Sequence, residues 1–294
     1  MSRSIRRVAM LGLIAGAACA RLEAAPSARW TPEPIASDQY ESSPTFSPDG
    51  REMIFMRSDP GFRRYQLLSS RCVDGRWSAP VSPPFAAAPP AFDADPAFSP
   101  DGTELYFIST RQNRDPADED FDIWVVRRDR DGGWGPPARL PAPVNADGSE
   151  LYPRPTRDGR LYFGSDRPGG LGGGDLYVAS RDGGAWRVAN LGPPISSAAF
   201  EYEADVSADG RTLVAVIDRG DRSHLYRFER RGGAWIERGR IAARADVFQV
   251  GPVLSPDGRR ILFAEVAPGR SGEIFLSELA PGADPAWPPR CGPR

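Results

Sequence analysis

Apolar strings and polar turns alternate in one order along this chain: five times a short strand pattern runs into Asp-Gly and returns as an apolar strand. The copies read FSPDGREMIF (46–55), FSPDGTELYF (98–107), TRDGRLYF (156–163), SADGRTLVAV (207–216) and LSPDGRRILF (254–263). Their glycines, at 50, 102, 159, 210 and 258, lie 52, 57, 51 and 48 residues apart. A period near fifty built from paired strands is the mark of a radial β-array.

The second copy shows the grammar of one unit. Asp95–Ser99 is a short strand and Pro100-Asp101-Gly102 its turn. Pro presets φ, Asp bonds its own backbone and Gly accepts positive φ. Glu104–Ile108 follows as a β-prone apolar strand, Asp122–Arg127 as a third, and Asp131-Gly132-Gly133 turns into a fourth opened by Trp134. Turn plus Trp recurs at 74–77, 183–186 and 232–235, and third strands recur at 65–71, 175–181, 224–230 and 273–279. Four antiparallel strands and a crossing to the next unit make a propeller blade. The expected fold is therefore all-β, a single-domain β-propeller of five four-stranded blades over about 29–280, with six blades as the alternative. Residues 28–34 copy the Trp-led fourth strands, so they should close the ring as the outer strand of the last blade, against 273–279. Trp77, Trp134, Trp186 and Trp235 are expected as wedges between blades, with sugar stacking as the lesser reading.

These SPDGxxLYF blades, with VNADGSELYPRPTRDGRLYFGSDRPGGLGGGDLYV (144–178), resemble the TolB-type, WD40-like propeller repeats of bacterial envelope proteins. Residues 144–178 are most similar to blades found beside peptidoglycan-binding domains. The resemblance covers about 30–280 and implies the fold and an envelope setting. It says little of activity, because such propellers serve as scaffolds, receptor-like modules and enzyme appendages. The chain departs from TolB relatives in showing no second domain and five blades rather than six.

Composition and charge then narrow the setting. The 294 residues carry a formal charge of −2, which excludes the electrostatic footprint of a nucleic-acid or anionic-membrane binder. There is no lysine. Residues 1–20 read as a secretory signal: Arg3, Arg6 and Arg7 precede the apolar run 8–20, which is too short to span a membrane. Cleavage is expected between about 18 and 25, or Cys19 is lipidated. Removing 1–20 takes three arginines and no acids, leaving 34 Arg against 39 acids, a charge of −5. Residues 281–294 form a Pro-rich tail. In an exporting route Cys72 and Cys291 can pair, with the tail crossing from blade five to blade one.

Catalytic constellations are missing from the sequence. It holds no G-x-S-x-G elbow and no H-E-x-x-H, and its one histidine, His224, opens a third strand in the register of Asp122, Asp175 and Glu273. GGLGGGD (169–175) leads into a strand rather than a helix and reads as a hairpin loop, not a phosphate loop. Two polar sets remain on the face shared by crossings and second-to-third loops. One comprises Glu41, Asp93, Asp95, Glu150, Glu201 and Glu203 with Arg111, Arg167 and Arg219; blade one offers Asp59 at the arginine register and blade five Ala267. The other is the loop 115–122, whose Asp115, Asp118, Glu119 and Asp120 are weak calcium candidates or a solvated charge run. The plain reading pairs Arg111 and Arg167 with Asp122 and Asp175 of their own hairpins. The sharper reading makes this face a charged channel mouth for a peptide, glycan or cation.

The functional expectation is an exported, periplasmic or extracellular, non-enzymatic and monomeric propeller binding a protein, peptide or envelope glycan through the crossing-loop face. No cofactor, nucleic acid or membrane span is expected. The alternative is a carboxylate- and metal-dependent lyase or hydrolase at the central channel, using Glu41, Asp95, Glu150 and Glu203.

Overall fold

A computed structural model describes residues 27–113, 115, 120–242, 244, 247–266 and 272–292. The signal segment, with Cys19, lies outside the described residues. Among the described residues twenty strands form five four-stranded antiparallel sheets. Blade one is β2 (Tyr40–Phe46), β3 (Glu52–Ser58), β4 (Tyr65–Val73) and β5 (Arg76–Trp77). Blade two is β6 (Asp93–Phe98), β7 (Glu104–Ser109), β8 (Asp122–Arg127) and β9 (Ala138–Arg139). Blade three is β10 (Glu150–Pro155), β11 (Leu161–Ser165), β12 (Asp175–Asp182) and β13 (Ala185–Asn190). Blade four is β14 (Phe200–Val206), β15 (Thr212–Asp218), β16 (Ser223–Arg231) and β17 (Ala234–Arg240). Blade five is β18 (Gln249–Leu254), β19 (Arg260–Glu265), β20 (Glu273–Glu278) and, from the other end of the chain, β1 (Ala28–Arg29). Ala28 pairs with Leu276 and Arg29 with Phe275, so the N-terminal strand closes the ring.

The turn is the same device in every blade. A Ser or Thr three residues before the glycine donates its hydroxyl to the Asp carboxylate, at 2.5 Å from Ser47 to Asp49, 2.6 Å from Ser99 to Asp101 and 2.7 Å from Ser207 to Asp209. Its carbonyl accepts from the glycine N–H, at 2.8 Å for Gly50, Gly102, Gly210 and Gly258 and 3.0 Å for Gly159. All five glycines sit at φ between 65° and 78°, where a Cβ is strained. The first hydroxyl bond also draws the Asp49 and Asp101 carboxyls below their ordinary range.

The core lies between sheets. Ile54 and Leu67 of blade one pack with Phe98, Leu105, Phe107 and Trp124 of blade two. Leu176 of blade three packs with Leu213, Ile217 and Phe228 of blade four. Trp77 is buried against Met53 and Phe55. Trp134 lies 5.6 Å from Phe85 and 5.9 Å from Phe98, while Trp186 and Trp235 cap the next two clusters and stay partly exposed. The glycine-rich hairpin after β11 lies against blade four: Gly173 donates to Ala199 and Glu201 to Gly174.

The tail crosses the turn face. Arg259 donates to Pro281 at 2.8 Å, Arg260 to Trp287 at 2.7 Å, and Pro289 rests on Gly50 of blade one. Cys291 is joined to Cys72 in a disulfide with Cα atoms 5.3 Å apart. Among the described residues no helix is long and apolar enough to cross a membrane.

Candidate functional site

The inner strands β2, β6, β10, β14 and β18 line the axis, and each opens on a similar five-residue string. These are YESSP (40–44), FDADP (92–96), SELYP (149–153), FEYEA (200–204) and FQVGP (248–252). The second residue is buried in its own blade, the fourth faces the axis, and the first stands at the rim. Every one of these strands carries a register irregularity at this point.

At the second position stand Glu41, Asp93, Glu150 and Glu201, all with 2% exposure or less, and Gln249 in blade five. Arg57 donates to Glu41 at 2.8 Å and to the Ile35 carbonyl at 2.7 Å. Arg111 grips both oxygens of Asp93 at 2.9 Å and the Phe85 carbonyl at 3.2 Å. Arg167 donates to Glu150 at 2.9 Å and to the Val144 carbonyl at 2.6 Å. Each guanidinium lies over an aromatic ring of its own blade, 5.6 Å from Phe55, 5.0 Å from Phe107 and 4.8 Å from Tyr177. Carboxylate and arginine thus clamp the preceding crossing loop to the blade. Burial drives the Glu41 and Glu201 carboxyls upward, and it lifts Glu150 to about 8 against the pull of Arg167.

This pairing differs from the hairpin pairing the sequence suggested. Asp122 is taken by Arg139 at 2.6 Å, and Asp175 accepts from the Leu171 N–H at 2.5 Å. Arg111 and Arg167 sit two residues past the end of their strands and fold over the rings of Phe107 and Trp124, and of Phe163 and Tyr177, to reach the carboxylate of the first strand. Blade one has its arginine after all, within the strand at Arg57, while Asp59 caps its own hairpin through the Arg63 and Arg64 N–H groups. Arg219 leaves the set: it pairs with Glu237 at 2.9 Å, and Glu201 is held by Ser197. Ala267 lies outside the described residues. His224 is buried, its Nδ1 3.3 Å from the Gln249 amide oxygen.

The axis is filled from the fourth positions. Ser43, Asp95 and Tyr152 hold φ of 52°, 51° and 53°, uncommon for residues with a Cβ and the kind of strain that gathers at functional sites. Ser43 donates to Asp95 at 3.0 Å, and Tyr152 reaches the Pro252 carbonyl of blade five at 2.7 Å. Glu203 accepts from Gly251 N–H at 2.6 Å, and Asp205 from Leu254 N–H at 2.7 Å. Arg154 supplies the positive charge: it lies 3.5 Å over the Tyr152 ring and donates to the Pro96 and Pro153 carbonyls. Asp95, Tyr152, Arg154 and Glu203 are each at most 8% exposed. Burial raises the Asp95 carboxyl, and burial together with the Asp95 charge pushes Glu203 up to about 8. Of the sequence candidates, only Asp95 and Glu203 are brought together on the axis. Their partners Ser43, Tyr152, Arg154 and Asp205 were not singled out, although Arg154 stands next to the Pro of its string.

The rim carries aromatic residues. Tyr65 lies 5.7 Å from Phe92 and 5.9 Å from Phe121; Tyr40 lies 4.6 Å from Phe62 and 5.9 Å from Phe248; Phe200 stacks on Tyr202 at 5.1 Å. Phe200 is 39% exposed. Asp115 and Asp120 are exposed beside this rim, whereas Asp118 and Glu119 lie outside the described residues. Among the described residues no group of three or more His, Cys, Asp or Glu could hold a metal ion.

No family model matches the chain, and no curated protein matches its sequence. Solved structures share the fold. TolB from Acinetobacter baumannii superposes with a TM-score of 0.52 at 17% identity, over 83% of this chain and 56% of that one. Putative TolB from Agrobacterium tumefaciens gives 0.52 at 19%, over 78% and 71%. Zg3597, a family 117 glycoside hydrolase from Zobellia galactanivorans, gives 0.56 at 13%, over 88% and 92%. This chain therefore spans just over half the length of the Acinetobacter TolB and shares a propeller fold with these proteins.

Proposed function

We propose that this chain is an exported, non-enzymatic propeller that binds a protein or peptide partner through its crossing-loop face. The observation that carries this reading is the rim around a filled axis. Inside, the carboxylates are taken by the arginine clamps, by Ser43 and Ser197 and by backbone N–H groups; outside, Tyr65, Phe92, Phe200 and Tyr202 present aromatic surface beside Asp115 and Asp120. Large amphipathic rings flanked by charge make productive contact surface at little entropic loss. The test uses the mature chain as bait in envelope extract, beside a Phe92→Ala/Phe200→Ala variant and one with the 115–122 acids neutralised. The reading expects a captured protein whose yield falls at least tenfold with either variant. Capture indifferent to both would overturn it.

One observation favours a second reading, hydrolysis at the axis. Asp95 and Glu203 form a buried carboxyl pair, both pushed upward by burial, with Glu203 holding its proton up to about pH 8. Zg3597, with the same fold, is a glycoside hydrolase. Against it stands the burial of both groups. Turnover of an oligosaccharide panel by the mature chain, lost in Asp95→Asn, would replace the first reading with this one.

A further inference from the structure

On the opposite face, where the Asp-Gly turns lie, the grooves between blades differ in charge. The groove between blades one and two is lined by Arg51, Arg71 and Arg128 against Asp49, Glu52 and Asp101. It neutralises itself, because Glu52 takes both Arg71 and Arg128. Between blades three and four the balance is broken. Arg157, Arg160, Arg211 and Arg230 line a groove of about 670 Å³ with only Asp158 and Asp209.

Both acids are committed to their turns: Asp158 accepts from Thr156, and Asp209 accepts from the Ser207 hydroxyl at 2.7 Å and the Arg211 N–H at 3.0 Å. The position that holds Glu52 and Glu104 in the first two blades is Arg160 in the third and Thr212 in the fourth, as the matching turn bonds show. Arg160 reaches the Tyr162 side chain and, at 3.4 Å, the exposed Asp158, and Arg230 donates to the Gly233 carbonyl. The guanidiniums of Arg157 and Arg211 have no acceptor among the described residues. Four delocalised forks, two without partners, form a receptor for carboxylate, sulfate or phosphate groups.

Aromatic surface continues the strip. Arg157 and Arg160 also line the neighbouring groove toward blade two, which ends on partly exposed Trp186; of its acids, Asp101 is taken by Ser99 and Thr103 and Glu104 by Arg127. Arg181 lies 4.4 Å over that indole, and Arg230 lies 5.7 Å from the Trp235 ring. Guanidiniums that pair with acid groups beside rings that stack on flat faces suit a chain of acidic sugars better than a flexible acidic peptide. We propose that this strip over blades three and four binds an anionic glycan, its acid groups held by Arg157, Arg160, Arg211 and Arg230. The proposal concerns the face opposite the rim and stands independently of the reading above.

The test is calorimetric titration of the mature chain with a galacturonic acid hexamer, with maltohexaose and hexaglutamate as controls. The uronate hexamer should bind, more weakly as salt rises. Maltohexaose should not bind, and hexaglutamate should bind at least tenfold more weakly than the uronate. Arg157→Ala/Arg211→Ala should lose at least tenfold in affinity with an unchanged melting temperature, and Trp186→Ala should lose affinity too. The single variants Arg157→Gln and Arg211→Gln, each with a several-fold loss, serve if the double variant does not fold. No uronate binding, binding untouched by the arginine variants, or equal binding of hexaglutamate would each overturn the proposal.

Discussion

At the scale of single residues, the informative groups are buried acids that differ in what faces them. Burial first and the Asp95 charge second push the Glu203 carboxyl up, so its folded form holds a proton up to about pH 8, while unfolded it titrates near its ordinary 4.5. Between those values the folded state binds more protons than the unfolded one, and stability therefore falls as pH rises. Glu203→Gln removes that slope and leaves Arg154 facing Asp95 and Asp205. Calorimetric melts should show the variant several degrees more stable than the parent at pH 8.5, with the gain vanishing near pH 4.5. A gain that grew toward acid pH would contradict this assignment. Asp93 is the opposite case, an acid with an arginine fixed on both oxygens. Arg111→Ala strands a carboxylate whose side chain is 2% exposed and should cost roughly 3–5 kcal/mol in urea melts. Arg219→Ala, whose partner Glu237 is 30% exposed, should cost about 0–1 kcal/mol. Equal losses would mean that the clamps do not stabilise their crossing loops.

At the scale of strands and turns, the blades meet closely enough that one methyl group matters. A Cβ added at Gly164 would land on the Tyr202 carbonyl of blade four. Backbone cannot rotate aside as a side chain can, so Gly164→Ala should destabilise by roughly 1–3 kcal/mol or more in urea melts, against little change for Gly135→Ala, whose φ is not positive and whose added Cβ would meet only the Arg127 carbonyl in ordinary contact. The turns were legible in the sequence because their chemistry repeats nearly letter for letter: hydroxyl, Asp, Gly, then apolar strand. The five-residue openings of the inner strands were not, though they recur as faithfully. Their first residue is Tyr, Phe or Ser, their second Glu, Asp or Gln, and Ala204 replaces the Pro in blade four. What is conserved there is a role, burial for one side chain and a place on the axis for another, which several residue types can fill. The arginine clamps were half legible for the same reason: Arg57 reaches the equivalent carboxylate from within its strand, two positions before the register that a repeat alignment would search.

At the scale of the whole molecule, the ring closes twice across one seam. β1 offers blade five only Ala28 and Arg29, with Thr31 adding hydrogen bonds to Ile274, whereas the tail runs from blade five to the disulfide on blade one. Both ties hold blade one beside blade five, so each lowers the entropy that the other has to overcome. The disulfide encloses 219 residues of sequence separation. In the chain-entropy model a loop of that size contributes about 5 kcal/mol, although measured gains often fall short. Ties acting on one seam should therefore be coupled rather than additive. A cycle of four proteins tests this: the mature chain, a form starting at residue 32, Cys72→Ser/Cys291→Ser, and the combination. Either single change should lower the melting temperature, and loss of the N-terminal strand should lower it further when the disulfide is absent than when it is present. Strictly additive losses would mean that the two ties stabilise separate parts of the ring, and that closure of the propeller rests on the packing between blades five and one rather than on the chain ends.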